Sequence, residues 1–370
     1  MSDTIQLDSP NLGELEKKYL LAAIDSGYVS TAGPYVPEFE KRLAAYLGVS
    51  YCVSVQSGTA AIHMALYELG IGPGAEVIVP AITFVATVNP VIYVGATPVF
   101  VDINPHTWTI DPGEIEKAVT PRTKAVIPVH LYGFPCAMDA IMELADRYGL
   151  YVIEDATESL GATYKGRYTG TIGQIGCFSF NGNKVMTTGG GGMIATNNLQ
   201  QAGHIKFLVN QGRDASRGYY HPEIGFNYRM TNLEAAMGLA QFERLGEFLK
   251  KKREFYRIYQ EAFQGVRGIT VQQALDNTVT SAWLTSVKID TDKIGLSIPE
   301  IQSRLQAKGI PTRRIFPPIV EFPPYQRFRT GKYGNSYELY ENGLNLPGST
   351  INTVDNIKYV AESLLDVLKL

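Results

Sequence analysis

The chain has 370 residues, 45% hydrophobic and 19% charged, with a net charge of −3. This suits an ordinary globular chain with one large domain, or a large and a small one, and gives no reason to expect nucleic acid or an anionic membrane as partner. Cys52, Cys136 and Cys177 are odd in number and widely spaced, so they make neither a disulfide framework nor a zinc site.

A reducing, cytoplasmic setting and no bound metal are therefore expected. The opening MSDTIQLDSP lacks a basic-then-apolar signal pattern. No apolar run approaches the roughly 20 residues of a membrane span.

Along the chain, Leu15, Tyr19, Leu20, Ala23 and Ile24 form a helical stripe over residues 12–25, which stops at Ser26-Gly27. Val29 to Pro34 reads as a loop, and a second helix follows to about Leu47. An alternation then begins. Tyr51–Val55 is a strand, Ser57-Gly58-Thr59 a turn and Ala60–Leu69 a helix. Glu76–Val79 is a strand, Phe84–Tyr93 a helix and Pro98–Asp102 a strand. Lys124–His130 is a strand, Met138–Tyr148 a helix, and Tyr151–Asp155 and Cys177–Phe180 are strands. Strands alternating with helices predict an α/β domain with a mostly parallel sheet, whose ligands bind at the carboxyl ends of the strands.

From Thr231 the pattern is long helix, Leu233–Leu245 and then Glu247–Phe263, with Gly246 as the break. The run Lys250-Lys251-Lys252-Arg253 is expected to face solvent. Strands at Ile269–Gln272 and Ala282–Ile289, helices at Pro299–Lys308 and Val354–Leu368, and a Pro-rich loop at Phe316–Pro324 suggest a smaller α/β domain. The expected division is 1–250 and 251–370.

Three chemically loaded spots fall at strand ends. Ser57-Gly58-Thr59 opens a helix, whose free N–H groups and dipole attract phosphate; taken by itself it reads first as a plain N-cap. Asp155 ends the strand Val152-Ile153-Glu154-Asp155, either as a partner for a protonated ring nitrogen or as a solvated carboxylate. Lys184 sits in the Asn181-Gly182-Asn183 turn before Gly189–Gly192, the glycines leaving room for a planar ligand. A flexible-loop lysine is the plain alternative. Cradle, acid and turn-held lysine together are what pyridoxal phosphate requires: phosphate anchor, electron-sink support and imine-forming amine. No GxGxxG follows the first strand, which counts against a nicotinamide dehydrogenase.

The stretches QSGTAAIHMAL, PAITFVATVNPV, PVHLYG, EDATESLGA, FSFNGNK and GFNYRMTNLEAA, in this order, resemble the nucleotide-sugar aminotransferases. These are pyridoxal-phosphate enzymes of the aspartate aminotransferase fold type. The resemblance implies a large α/β domain with a sheet of the seven-stranded type between helices, and a small C-terminal domain. It implies that Lys184 bonds the cofactor and shuttles the proton, and that Asp155 pairs with the pyridine nitrogen. Phe84 would stack on the ring, and Ser57, Gly58, Thr59 and Ser179 would hold the phosphate. Glu158 stands where many relatives carry glutamine near the phenolic oxygen, so it must be protonated or partnered. Asn227 would reach the phosphate across a homodimer interface. Without the resemblance, Phe84 reads as core and Asn227 as a turn residue.

The related sugar dehydratases have histidine at the lysine position, so Lys184 favours transamination. NYRMTN resembles the members that aminate carbon four of a 4-keto-6-deoxyhexose, with L-glutamate as donor. The rival reading is amination at carbon three. TPRTKAVIPVHLYG and GLNLP favour GDP-4-keto-6-deoxymannose as substrate, whereas Asn181 and Gly190 favour a UDP-2-acetamido-4-keto-6-deoxyhexose. Val320 stands where the GDP pattern has histidine. Asn181, Arg229 and Arg313 are candidate substrate contacts. Both arginines could bind diphosphate or carboxylate bidentately, or make surface ion pairs. A non-catalytic cofactor-binding regulator is the alternative of another class.

Overall fold

The computed structural model describes residues 4–370; the first three residues of the MSDTIQLDSP stretch lie outside them. The strands are β1 Tyr51–Val55, β2 Glu76–Pro80, β3 Thr97–Val101, β4 Thr123–Val126, β5 Tyr151–Asp155, the short β6 Thr163–Tyr164 and β7 Arg167–Tyr168, β8 Ile175–Ser179 and β9 Gly192–Thr196. Further on come β10 Ile269–Val271, β11 Thr278–Val279, β12 Thr285–Ile289, β13 Arg313–Arg314 and β14 Gly343–Leu346.

The large sheet has seven strands in the order β1-β9-β8-β5-β4-β2-β3. Its β3-β2-β4-β5-β8 part is parallel, as the strand–helix alternation predicts, and β9 runs antiparallel to both β8 and β1. Helices cover both faces, so β2 is buried along its whole length and β1, β5 and β8 along most of theirs. The smaller sheet is antiparallel, β10-β12-β14-β13, and the helices Ile298–Ala307 and Val354–Leu368 belong to this part of the chain.

Several elements differ from expectation. Phe84–Tyr93 is not one helix: Phe84 is extended, Val85–Thr87 forms a 3₁₀ turn, and the helix is Asn89–Tyr93. Pro90 is the cause, because it lacks an N–H and its ring would strike the carbonyl four residues back in a continuous helix. The long helix breaks at Arg244 rather than Gly246, and Leu245–Phe263 then runs through residue 250 uninterrupted.

The basic run is not a solvated face. Lys252 is buried, and its Nζ donates to the carbonyls of Trp283 and Gly348, each at 2.9 Å. Burial takes its pKa down to about 8. Lys251 Nζ donates to Thr350 O at 2.6 Å, and Arg253 reaches Thr280 O at 2.9 Å and Gly161 O at 2.8 Å. These cations tie the helix to loops from both sheets, and Lys250 alone of the four is exposed.

The start of the chain closes the arrangement. Leu7 O accepts from Gly348 N and Ser349 N, and Gln6 exchanges hydrogen bonds with Asn352. The N-terminal segment is thereby strapped to the C-terminal part and passes beside the carboxyl edge of the large sheet. No helix among the described residues is long and apolar enough to cross a membrane.

Candidate active site

At the carboxyl edge of the large sheet lies a cavity of about 340 Å³. Its wall brings together Ser57, Gly58, Thr59, Phe84, Asp155, Glu158, Ser179, Asn181, Lys184 and Arg313. The reason is topological: β1, β5 and β8 all end there, so residues 57, 155 and 179 converge although they are far apart in sequence.

Ser57 is extended and caps the helix Gly58–Glu68, its Oγ accepting from Ala60 N at 3.1 Å. The N–H groups of Gly58 and Thr59 have no intrahelical acceptor at this helix start. Gly58 has no room for a side chain: a Cβ there would lie 2.9 Å from both Ser179 Cβ and Thr157 Cγ2.

Gly190 and Gly191 of the glycine run line the cavity, and the run has a second use at Gly192. A Cβ on Gly192 would fall 2.5 Å from the Ser57 carbonyl and 2.8 Å from Gly58 N. Gly191 N donates to Gln56 O at 2.8 Å. These glycines let β9 pass against the backbone of the cradle. Gly192→Ala is therefore expected to displace Ser57-Gly58, costing about 1–3 kcal/mol of stability and weakening cofactor retention more than it slows turnover of the loaded enzyme. Thermal melts beside cofactor titrations check this; unchanged retention would contradict it.

The two acids ending β5 face opposite ways, as strand alternation requires. Glu154 points into the core and accepts from His130 Nε2 at 3.0 Å, Gly170 N at 2.8 Å, Ile172 N at 2.5 Å and Gly173 N at 2.7 Å. Burial alone would raise its pKa, but these donors outweigh burial and hold it below the usual carboxylate value. Asp155 points into the cavity wall, buried yet anchored, with Thr87 Oγ1 donating to Oδ2 at 2.7 Å and Thr157 N to Oδ1 at 3.1 Å. Thr83 extends this chain to Thr87 at 2.7 Å.

Lys184 is held by its backbone, its N–H donating to Asn181 O at 3.0 Å. Its Nζ lies 3.7 Å from Glu158 Oε1 and 4.2 Å from the centre of the Trp283 ring, a cation–π contact. Trp283 Nε1 donates to Asn183 O at 2.6 Å, fixing the ring beneath the turn. Phe84 is half exposed and faces Phe316 with ring centres 5.7 Å apart, so it is a wall residue and not core.

Arg313, from β13, pairs through Nη1 with Asp8 at 2.9 Å, while its enclosed Nε and Nη2 have no hydrogen-bond partner among the described residues. Asp8 also accepts from Asn183 Nδ2 at 3.1 Å, so the N-terminal strap joins the lysine turn to the small sheet.

Asn227 and Arg229 do not line the cavity of their own chain. Both are exposed, and Asn227 pairs by backbone with Asn210. Val320 is fully buried in the apolar cluster around the large sheet and is not a wall residue, so the absence of histidine there removes no donor from this cavity wall.

Thr83, Thr87, Thr157, Tyr132, Trp283 and Asp8 were not singled out from sequence. Thr83 and Thr87 lie within PAITFVATVNPV and Tyr132 within PVHLYG, so a search of those stretches for hydroxyls and turn residues could have found them. Asp8 and Trp283 carry no local signal.

The donor set suits a phosphorylated pyridine aldehyde: anion cradle and serine at one end, a fixed carboxylate, an enclosed lysine and an aromatic wall. No group of three or more His, Cys, Asp or Glu side chains among the described residues is placed to hold a metal ion. With the seven-stranded sheet, this defines a pyridoxal-phosphate enzyme.

The chain belongs to the DegT/DnrJ/EryC1/StrS aminotransferase family, whose pattern matches residues 10–365. It is 42% identical to a GDP-perosamine synthase of Caulobacter vibrioides, over 100% of both chains. It is 39% identical to a GDP-perosamine synthase of Escherichia coli O157:H7, over 97% of both. A candidate sugar aminotransferase from Streptococcus pneumoniae, solved in its PLP form, superposes with a TM-score of 0.92 at 28% identity over 99% of both chains. The protein is a PLP-dependent sugar aminotransferase, as the motif order implied.

Proposed function

We propose that the chain transfers the amino group of L-glutamate to C-4 of GDP-4-keto-6-deoxymannose, making GDP-perosamine. The observation that carries this reading is the whole-length similarity to two GDP-perosamine synthases around an intact Lys184–Asp155–Glu158 cavity. The features favouring a UDP sugar, Asn181 and Gly190, both lie on the cavity wall.

Bound at this site, pyridoxal phosphate would supply the electron sink that eases proton removal from the amino-bearing carbon. The Gly58 and Thr59 N–H groups with Ser179 hold the phosphate, and Phe84 covers the ring. Asp155 holds a proton at the ring nitrogen. Lys184, once its nitrogen is free, moves a proton at the substrate carbon as general acid and base. Arg313 receives an oxyanion of the donor or of the nucleotide sugar.

We further propose a cytoplasmic homodimer in which Asn227 reaches the partner's cofactor phosphate. The exposed positions of Leu21, Ile24, Tyr28 and Val29, an apolar row on the first helix and the loop after it, support a covered face. The division into 1–250 and 251–370 is retained as a functional one, with Arg313 and Trp283 brought to the cofactor domain from the smaller part.

Two half-reactions in a spectrophotometer test the reading. Glutamate should bleach the yellow protein, and after its removal GDP-4-keto-6-deoxymannose should restore the colour. Restoration by the UDP-N-acetyl sugar alone would overturn the GDP assignment, and restoration by a 3-keto sugar alone the carbon-four assignment. Failure to bleach would favour a regulatory protein.

A further inference from the structure

The PVHLYG stretch carries a feature that the proposed function does not use. Tyr132 is buried and in the left-handed region, with φ of 55°. For a bulky residue this is a strained conformation that persists only where its surroundings require it. Here the turned peptide sends the Tyr132 N–H to Glu158 Oε2 at 2.8 Å.

The phenol end is fixed too. Tyr132 OH accepts from Phe316 N at 3.3 Å, and its ring stacks on Phe316 with centres 5.5 Å apart. Glu158 is thus gripped by one oxygen from a rigid turn. Its other oxygen faces Lys184 Nζ at 3.7 Å. That gap is within ion-pair range, and it closes to hydrogen-bond contact by a small rotation of the lysine or through one water.

We infer that Glu158 is the proton partner of Lys184: the pair holds a single proton, which moves from Nζ to Glu158 Oε1 when the lysine must act as a free amine. In this transfer the ammonium becomes an amine and the carboxylate becomes a carboxylic acid. The net charge of the pair is zero before and after. Releasing the proton to solvent would instead leave an unpaired carboxylate in an enclosed site, which is costly. This inference rests on the assignment of Lys184 as the cofactor lysine.

The surroundings suit a shared proton. Burial raises the Glu158 pKa, while the Lys184 ammonium and the Tyr132 N–H pull the other way. Asp155 adds to the raising and Arg313 from β13 to the lowering. The Trp283 ring closes the other side of Lys184 Nζ, with its centre 4.2 Å away. The strained Tyr132 turn is a positioning device, since it fixes which oxygen remains for the lysine.

A pH profile tests this. Full-length protein is stripped of cofactor, and the rate of colour return with pyridoxal phosphate is followed from about pH 6 to about 8.5. If the pair holds one proton throughout, the free-amine fraction does not depend on pH, and wild type shows a shallow profile. In Glu158→Gln the lysine must lose its proton to solvent. Its rate relative to wild type should rise about tenfold per pH unit until it levels at the lysine's own pKa. Taking the ratio removes the titration of the cofactor itself. Glu158→Asp keeps a proton site and should stay shallow, which covers the case of a Gln variant that fails to bind.

Parallel profiles for wild type and Glu158→Gln would overturn the inference, as would a Glu158→Asp profile as steep as that of a lysine titrating alone. If Lys184→Ala regains colour as wild type does, the lysine assignment itself falls, an outcome separate from the first two.

Discussion

Lys184→Ala is expected to fold, to remain colourless with pyridoxal phosphate, and to lose activity by more than about 10⁴-fold, the upper range for a positioned acid–base group. The expectation exceeds that range because one nitrogen serves twice, as the covalent anchor and as the proton carrier. Among the described residues no other lysine lines the cavity, so no neighbour can substitute. Folding should survive because the backbone of the turn keeps its own bond, Lys184 N to Asn181 O, and the Trp283 indole stays bonded to Asn183 O. Glu158 loses its counter-charge and is expected to protonate, as its raised pKa already favours, so no bare buried carboxylate remains. Absorbance, circular dichroism and turnover on one preparation decide the matter. A yellow and active variant would mean that the cofactor is bound elsewhere.

Asp155→Asn is expected to keep the cofactor and lose roughly 10²–10³-fold in kcat, the scale of removing one preorganised electrostatic partner. The substitution tests charge and leaves shape almost unchanged. Oδ1 would still accept from Thr157 N. At the other atom the new amide would donate to Thr87 Oγ1 where the carboxylate now accepts. The Thr83–Thr87 hydroxyl pair can turn its hydrogens to accommodate that reversal. A neutral amide, however, cannot hold a proton at a ring nitrogen as a carboxylate does. The signature is therefore a coloured, folded protein that turns over slowly. A kcat within a few-fold of wild type would remove Asp155 from the mechanism. Loss of colour as well would assign it to binding.

The two variants separate what the acid and the lysine contribute. Glu154, next to Asp155 in sequence, should behave as neither. Its carboxylate closes four internal hydrogen bonds, so its loss would be felt in stability before catalysis.

Much of the large sheet was legible locally. β1 to β5 are short apolar runs punctuated by turn residues, and their alternation with helices carries its own topology. Ser57, Asp155 and Lys184 were readable because a cap, a strand end and an Asn-Gly turn each constrain where a side chain can point. β9 was not legible. Gly192 to Thr196 follows directly on a glycine run, and its place between β1 and β8 is accompanied by close backbone approach to Ser57-Gly58.

The remaining differences share a cause. Four successive cations looked like a solvated face because the partners of three of them are carbonyls far along the chain, at positions 161, 280, 283, 348 and 350. Asp8 meets Arg313 across 305 residues of chain. Tyr132 meets Glu158 only because β4 and β5 lie side by side. Residue order along the chain therefore settled the strand–helix alternation, which follows from periodicity within a few residues, while the cofactor class and the lysine came from the joint order of several motifs and their resemblance to a known family. Which acid faces the lysine, what holds that acid, and which charges are buried were decided by the packed molecule. Those depend on carbonyls, N–H groups and rings supplied from distant parts of the chain, and no local pattern encodes their arrival.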